Sequence, residues 1–242
     1  MALSNIRNPA MADRPFRIVE AIYPGMTQLD FTAPHTVFSR IPNTETIVAS
    51  EAGGLIESEG GIVFAGTRRL AEIEHCDLIF FPGGLGVTEA INNPAFMAQA
   101  QRLTVGARYL TSVCTGSLVL AAAGLLKGRR AACHWAWRDM LSLFGAIPDP
   151  GRVVRDGNII TGGGVTAGMD FALVVAAELA GARFAQGLQL GLEYAPAPPF
   201  DAGRPETAPP DVLADVKRRL ETILPKRLAE AQAAAARLAQ AQ

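Results

Sequence analysis

The chain has 242 residues, 49% of them hydrophobic and 19% charged, with 22 basic and 23 acidic side chains and a formal net charge of -1. This composition is typical of a globular protein and excludes a disordered or fibrous chain. The balanced charge gives no general attraction to nucleic acid or to an anionic membrane, and the longest apolar runs, at 118–126 and 171–177, are too short for a helix that crosses a bilayer.

Short apolar runs alternate with helical patterns along most of the chain. The apolar runs predict buried strands at 16–22, 46–49, 77–81 and 108–113. The helical patterns lie at 31–39, 68–74, 88–103 and 116–126. Hairpins are predicted at 55–64 and 152–161, and each would edge the sheet or cover part of a site. The alternation predicts an α/β fold with a mostly parallel sheet that helices cover on both faces.

The last third of the chain is helical apart from one proline-rich stretch. A buried helix is predicted after Gly168 and a second helix at 183–193. Residues 195–210 contain six prolines and predict an extended segment that crosses the surface. The rest, 211–242, predicts helix with a break near Pro225, and its alanine-rich end has little apolar material to bury. We expect this tail to be solvated or to contact a partner.

These patterns divide the chain into an N-terminal arm at 1–13, a single α/β domain at 14–194, and a crossing segment with a helical tail at 195–242. The arm has no apolar run of the kind that forms a secretory signal. The chain has three widely spaced cysteines, which is typical of free thiols in a reducing compartment: Cys76, Cys114 and Cys133. A cytoplasmic location is therefore expected.

Cys114 stands where a buried strand runs directly into a helix. Small residues follow it, in the order Thr115, Gly116 and Ser117, as a tight nucleophile elbow requires. Such a turn places the thiol at the carboxyl edge of the sheet and at a helix N-terminus, where we expect its pKa to be lowered. The alternative is a small buried cysteine without a function, and that is our interpretation of Cys76 and Cys133.

Two loops at the same sheet edge carry further candidate groups. The strand at 77–81 ends in Pro82, Gly83 and Gly84, so the Gly84 amide is a candidate donor to a developing anion. Asp30 follows the first strand, and it either caps the next helix or faces Cys114. In the second case, burial would raise the pKa of Asp30 and keep a proton available.

His134, twenty residues after Cys114, either accepts a proton or has a structural role. The glycine-rich loop at 161–168 lacks the lysine and the glycine spacing of a phosphate loop, so we expect its glycines to serve close packing against the elbow.

The acid loop after the first strand, FFPGG, the TSVCTG elbow and a histidine twenty residues later resemble the PfpI-type branch of the class I glutamine amidotransferase-like superfamily. Five longer motifs are YPGMTQLDFTAP, VCTGSLVLAAAGLLKGRRA, HWAWRD, DGNIITGGGVTAGMDFAL and LEYAPAPPF. Within that superfamily, these resemble the isonitrile hydratase family. The resemblance covers about residues 14–194. It departs at Cys133, where a threonine is expected, and this leaves the function of His134 open.

The resemblance implies a homodimeric, flavodoxin-like α/β sandwich that adds water to isonitriles and needs no metal or organic cofactor. It implies Cys114 as the nucleophile, Asp30 as the acid beside it, and the amides of Thr115 and Gly84 as anion donors. His134 is a possible neighbour of this site. Two alternatives remain open, a glyoxalase or deglycase with the same cysteine and a thiol-based oxidative sensor. Direct DNA binding is not expected, because no basic recognition helix follows the domain.

Overall fold

The computed structural model describes residues 14–241, so the predicted arm at 1–13 lies outside the described residues. An eight-stranded sheet forms its centre, in the spatial order β3-β4-β2-β1-β5-β6-β10-β9, and β7 pairs with β8 in a separate small sheet. The strands are β1 (Phe16–Ala21), β2 (Thr44–Ser50), β3 (Gly54–Glu57), β4 (Val63–Arg69), β5 (Leu78–Phe81), β6 (Tyr109–Val113), β7 (Arg130–Ala131), β8 (Ile147–Pro148), β9 (Val153–Asp156) and β10 (Ile159–Gly162).

The six inner strands are parallel, and the antiparallel pairs lie at the two edges. Neighbours from β4 through β10 pair in parallel, whereas β3 pairs antiparallel with β4 and β9 with β10. The two edge pairs are the hairpins that the sequence predicted. The mostly parallel sheet is therefore confirmed.

Helices cover both faces of this sheet. They are α1 (Gln28–Phe38), α2 (Val87–Asn92), α3 (Pro94–Thr104), α4 (Ser117–Ala122), α5 (Ala167–Ala180), α6 (Ala182–Gly191), α7 (Pro210–Glu221) and α8 (Leu224–Ala241). Strand β5 illustrates why both faces need cover, because its side chains are apolar on both sides. Leu78 and Phe80 point to the core beneath α1, α5 and α6, whereas Ile79 and Phe81 point to the core beneath α2, α3, α4 and α8. The flavodoxin-like α/β sandwich is confirmed.

One predicted helix is wrong and another is divided. Residues 68–74 contain the end of β4 and a single 3-10 turn at Leu70–Glu72, because β4 pairs with β2 and buries Thr67, whose hydroxyl lies 2.8 Å from that of Ser50. The predicted helix at 88–103 is two helices, α2 and α3. Asn93 caps α3 by accepting the Ala95 amide at 2.9 Å, and Pro94 takes its first position.

The tail has the predicted break near Pro225, but its last helix is more buried than expected. The break falls between α7 and α8, and Pro225 lies in the first turn of α8, where proline is tolerated. One face of α8 is buried through Ala231 and Ala234, and Asn92 donates to the Glu230 carbonyl at 3.2 Å. Small side chains allow this close approach, so the tail helix packs against α2 instead of being solvated throughout. No helix among the described residues is long and apolar enough to cross a membrane.

Candidate active site

Cys114 lies in a strained turn at the carboxyl end of β6. It begins a 3-10 turn at Cys114–Gly116, its φ is +59°, and its amide donates to the Gly163 carbonyl at 2.8 Å. Positive φ is unfavourable for a residue with a side chain and recurs at functional turns. The turn depends on Gly116, because a Cβ there would lie 2.2 Å from the Phe81 carbonyl oxygen. The structure thus has the sharp strand-to-helix turn that the sequence predicted.

Asp30 is completely buried in the first turn of α1. Thr27 occupies the N-cap position, so Asp30 does not cap the helix. Its Oδ2 accepts the Gly83 amide at 3.0 Å, and its Oδ1 has no hydrogen-bond partner among the described residues. Burial raises the pKa of Asp30 from 3.8 to about 7, against the opposing effects of Cys114 and the Gly83 amide.

The Asp30 carboxyl and the Cys114 side chain meet at Gly83. A Cβ on Gly83 would lie 2.7 Å from both Asp30 Oδ2 and Cys114 Cβ, and 2.5 Å from the Thr115 amide nitrogen. Only glycine therefore fits between the acid, the thiol and the elbow amide. The structure brings together Cys114, Asp30 and Thr115, as the sequence predicted.

The ionisation of Cys114 differs from the expectation. Burial raises the pKa of its thiol well above the usual value, and the nearby Asp30 and Cys133 raise it further, whereas a hydrogen bond from the Thr115 amide lowers it. The cysteine is 4% exposed, so removal of water from the charged form outweighs the amide. The predicted lowering of the pKa is wrong.

The Gly84 amide is not free. It donates to Thr115 Oγ1 at 2.9 Å, and the same hydroxyl lies 3.2 Å from the Gly84 carbonyl, to which it donates. These bonds join the Gly83–Gly84 loop to the elbow. Gly84 therefore holds the elbow in place in this structure, and a substrate anion would have to displace the Thr115 hydroxyl to reach its amide.

Two residues that the sequence analysis did not single out fix the loops around Asp30. The Tyr23 hydroxyl, buried near Asp30 and Cys114, donates to the Pro82 carbonyl at 2.6 Å. Glu59, at the turn between β3 and β4, accepts from the Thr27 hydroxyl at 2.8 Å and from the Leu85 amide at 3.0 Å. A tyrosine at the end of the first strand was a usable signal for the first contact. Nothing local to Glu59 indicates the second.

His134 lies beside the glycine-rich loop. Its Nδ1 accepts the Ala136 amide at 3.2 Å, and a Cβ on Gly164 would lie 3.0 Å from its Cδ2. Burial lowers its pKa, so the ring is neutral near pH 7 with its proton on Nε2. No described contact joins His134 to Cys114. The expected packing of this loop is confirmed, since a Cβ on Gly162 would lie 3.1 Å from the Val113 side chain.

A cavity of about 750 Å³ opens beside the elbow. Its walls come from the segment after β7, the segment before β9, the glycine-rich loop and the proline-rich segment: 133–135, Arg138, 149–152, 163–167 and 203–207. Cys114 is not in its wall, but Gly163, which accepts the Cys114 amide, and Cys133 are. Among residues 14–241, no group of three or more His, Cys, Asp or Glu side chains is placed to hold a metal ion.

Comparison with known proteins identifies the family of this chain. The profile of the DJ-1/PfpI family matches residues 17–178. The chain belongs to the DJ-1/PfpI family. It is 45% identical over 217 residues to an isonitrile hydratase from Pseudomonas putida, and the aligned region covers 90% of this chain and 95% of that protein. The resemblance indicated by the sequence motifs is thereby confirmed.

Solved structures of the DJ-1/PfpI family have the same fold. A THiJ/PfpI family protein from Pseudomonas syringae superposes with a TM-score of 0.84 at 38% identity and covers 97% of both chains. Drosophila melanogaster DJ-1beta superposes with a TM-score of 0.66 at 25% identity and covers 75% of this chain and 100% of that one. The match to the Pseudomonas syringae protein extends over the proline-rich segment and the tail helices. The two proteins therefore share these parts, which lie outside residues 17–178 matched by the family profile.

Proposed function

We propose that this DJ-1/PfpI protein adds water to isonitriles and releases N-substituted formamides, with Cys114 as nucleophile and Asp30 as proton donor and acceptor. The observation that carries the proposal is the buried carboxyl, with a pKa of about 7, that meets the thiol across Gly83. The near full-length similarity to an isonitrile hydratase supports this substrate class.

The first step needs one proton shared between Asp30 and Cys114. Because both groups are buried, the pair with a neutral thiol and a carboxylate avoids two adjacent negative charges. Asp30 takes the thiol proton and delivers it to the terminal carbon of the isonitrile as sulfur bonds to that carbon. The product is a thioimidate, R–N=CH–S–Cys114, which contains all atoms of the substrate. The Thr115 amide, directed at the sulfur, stabilises the charge that develops there.

The second step uses water. Asp30, now a carboxylate, accepts a proton from water as its oxygen bonds to the thioimidate carbon. Asp30 returns this proton to the nitrogen. The C–S bond then breaks as the hydroxyl oxygen becomes the formamide carbonyl, and the hydroxyl proton passes to the sulfur and restores the thiol. The sum is R–NC plus water giving R–NH–CHO, and no electrons are exchanged with another reagent.

The burial of Cys114 favours this enzyme over an oxidative sensor. Sensor cysteines are accessible and have low pKa values, whereas Cys114 is 4% exposed and burial raises the pKa of its thiol. A glyoxalase would use the same thiol on a small carbonyl compound, so methylglyoxal belongs in the test as a competing substrate. The homodimer implied by the resemblance stays a prediction, which light scattering would check.

The test is to mix purified protein with cyclohexyl isocyanide in oxygen-18 water and to measure the formamide by mass spectrometry. We expect labelled product from the wild type and only background from Cys114→Ala. In Asp30→Asn, which lacks the group that carries the proton in both steps, we expect both the formation of an adduct on Cys114 and the release of formamide to be slow. Equal product from wild type and Cys114→Ala would refute the proposal, and turnover of methylglyoxal alone would favour the glyoxalase.

A further inference from the structure

The cavity beside the elbow contains an arginine without an anionic partner. Arg138 is half-buried in its wall, and no carboxylate among residues 14–241 forms an ion pair with it. A guanidinium that is partly removed from water loses hydrogen bonds to water. Charge-assisted hydrogen bonds to a bound anion would offset this loss. Its planar donors fit a carboxylate in a bidentate way.

The other charges in the wall leave the cavity positive. Asp149 pairs with Arg130 at 3.7 Å and the Arg152 guanidinium pairs with Asp170, so these wall charges are already neutralised by groups outside the cavity. Arg204 and Glu206, both exposed on the proline-rich segment, form no ion pair among the described residues. With Arg138 they give a net charge of +1.

Uncharged groups in the wall complete a site for a small anion. The neutral His134 ring has Nε2–H as a donor, and no described residue accepts from it. Half-buried Trp135 provides an apolar surface next to this donor. A volume of about 750 Å³ is in the range of small-molecule sites.

The cavity also borders the reaction centre. Gly163 lies in its wall and accepts the Cys114 amide at 2.8 Å, and Cys133 lies in its wall close enough to Cys114 to affect the ionisation of that thiol. The cavity that contains Arg138 therefore adjoins the elbow that carries Cys114.

We propose that this cavity binds the anionic end of the substrate, so that the preferred substrates are isonitriles that carry a carboxylate, held by Arg138 with Arg204 and the His134 Nε2–H. This inference rests on the proposed function for the identity of the reacting end. The proline-rich segment, which lies outside the part matched by the family profile, supplies Arg204 and thus contributes to specificity.

The kinetic test compares isocyanoacetate with its uncharged methyl ester. We expect the wild type to favour the acid, and Arg138→Gln to raise KM for the acid about tenfold while KM for the ester stays within about twofold. Arg204→Gln, on an exposed segment where folding is not at risk, should change KM in the same direction by about threefold. Glu206→Gln should lower it. Arg219→Gln on α7, which removes one positive charge away from the cavity, is the matched control and should change neither substrate.

A binding test separates this inference from the proposed function. N-formylglycine and its methyl ester do not react, and calorimetry measures their affinity whether or not the protein turns over isonitriles. Tighter binding of the acid, lost in Arg138→Gln and Arg204→Gln, supports the inference even if no isonitrile is hydrated. Equal binding of acid and ester, or binding unchanged in both variants, overturns it, while turnover of the ester alone would leave the proposed function intact.

Discussion

Two cysteine–aspartate neighbourhoods lie at opposite ends of neighbouring strands in this protein. Cys76 and Asp77 precede β5 at the amino edge of the sheet, and Cys114 follows β6 at the carboxyl edge, beside Asp30. Both thiols are free and buried. Burial, with a nearby aspartate, raises the pKa of Cys76 to about 12 and that of Cys114 well above the usual value.

The two aspartates differ in their hydrogen-bond donors and in the direction of their pKa shifts. Asp77 accepts from the Arg14 guanidinium at 2.7 and 3.0 Å and from the Arg17 amide at 2.8 Å, and although burial acts against them, these donors lower its pKa. Asp30 accepts only one amide, from Gly83, and burial raises its pKa to about 7. The comparison therefore separates an acid whose pKa lies near neutral pH, beside Cys114, from one that an arginine holds ionised, beside Cys76.

Substitution of each cysteine by alanine is expected to give the largest difference between the two neighbourhoods. We expect Cys114→Ala to reduce isonitrile turnover on the order of a thousandfold or more, since the covalent step is lost. Cys76→Ala should leave turnover within about twofold, because its thiol only donates to the Leu103 carbonyl at 3.4 Å. The rate of formamide production in the steady state measures both effects. Comparable losses of turnover in the two variants would contradict the assignment of Cys114, and not Cys76, as the nucleophile.

Asp30→Asn and Asp77→Asn test whether the difference in pKa between the two aspartates affects activity. Asp30→Asn cannot carry the shared proton, so turnover should fall about a hundredfold or more. In the wild type, kcat/KM should rise with pH through about 7, as Asp30 ionises and leaves one proton on the pair. This limb should be absent from the residual activity of Asp30→Asn and present in Asp77→Asn. The same limb in all three proteins would exclude Asp30 as its source.

Stability should respond to the same two changes with opposite signs. The raised pKa of Asp30 means that the folded state loses stability as pH rises from about 4 to about 7, so Asp30→Asn should be more stable than wild type by about 2 to 4 kcal/mol near pH 8. The pKa of Asp77 is lowered, so its carboxylate stabilises the folded state at neutral pH, and this stabilisation is lost as the pH falls. Asp77→Asn should therefore lower the free energy of unfolding by about 1 to 2 kcal/mol near pH 8 and leave it unchanged in acid. Urea unfolding at several pH values measures both, and equal signs at pH 8 would contradict the assignment.

A methyl group at Gly83 tests whether the acid and thiol must meet so closely. Gly83→Ala places a Cβ within 2.7 Å of three site atoms, so we expect a loss of about 1 to 3 kcal/mol in unfolding free energy and at least tenfold lower turnover. Gly106→Ala is the matched control, because a Cβ there has no atom within 4 Å. Full activity in Gly83→Ala would show that the spacing of the pair is not required.

The smallest effect is expected at a hydroxyl. Tyr23→Phe removes the 2.6 Å bond to the Pro82 carbonyl, which should cost about 1 kcal/mol of stability and lower kcat a few-fold by loosening the Gly83 loop, with little change in KM. Tyr109→Phe loses a surface bond to Glu178 of 2.8 Å and should leave kcat unchanged. If both variants keep the kcat of the wild type, Tyr23 has a purely structural role.

The sequence predicted the elements that depend on local pattern. An apolar strand followed by Thr115, Gly116 and Ser117 has few alternatives to a tight turn, because a larger residue at Gly116 would collide with β5. What it could not predict depends on distant chain segments. The pKa of Cys114 follows from burial by helices and loops on both sides, and the Gly84 amide is engaged by a hydroxyl 31 positions later.

The helical errors have the same origin. Residues 68–74 have helical composition, yet pairing with β2 decides their structure, and no local signal reports that strand as a neighbour. The tail contains mostly alanine near its end, and burial of Ala231 and Ala234 depends on the shape of α2, which is far away in the chain.

The contact between α2 and α8 has a consequence for how this protein tolerates changes at its C-terminal end. Helix α2 has six residues and begins three positions after Gly84, so its first residue marks the end of the loop whose Gly83 amide binds Asp30. Asn92 at the end of α2 is attached to α8 through the Glu230 carbonyl, and Arg237 also reaches it. We therefore expect substitutions that displace α8 to shift α2 as well, and with it the loop whose Gly83 amide binds Asp30.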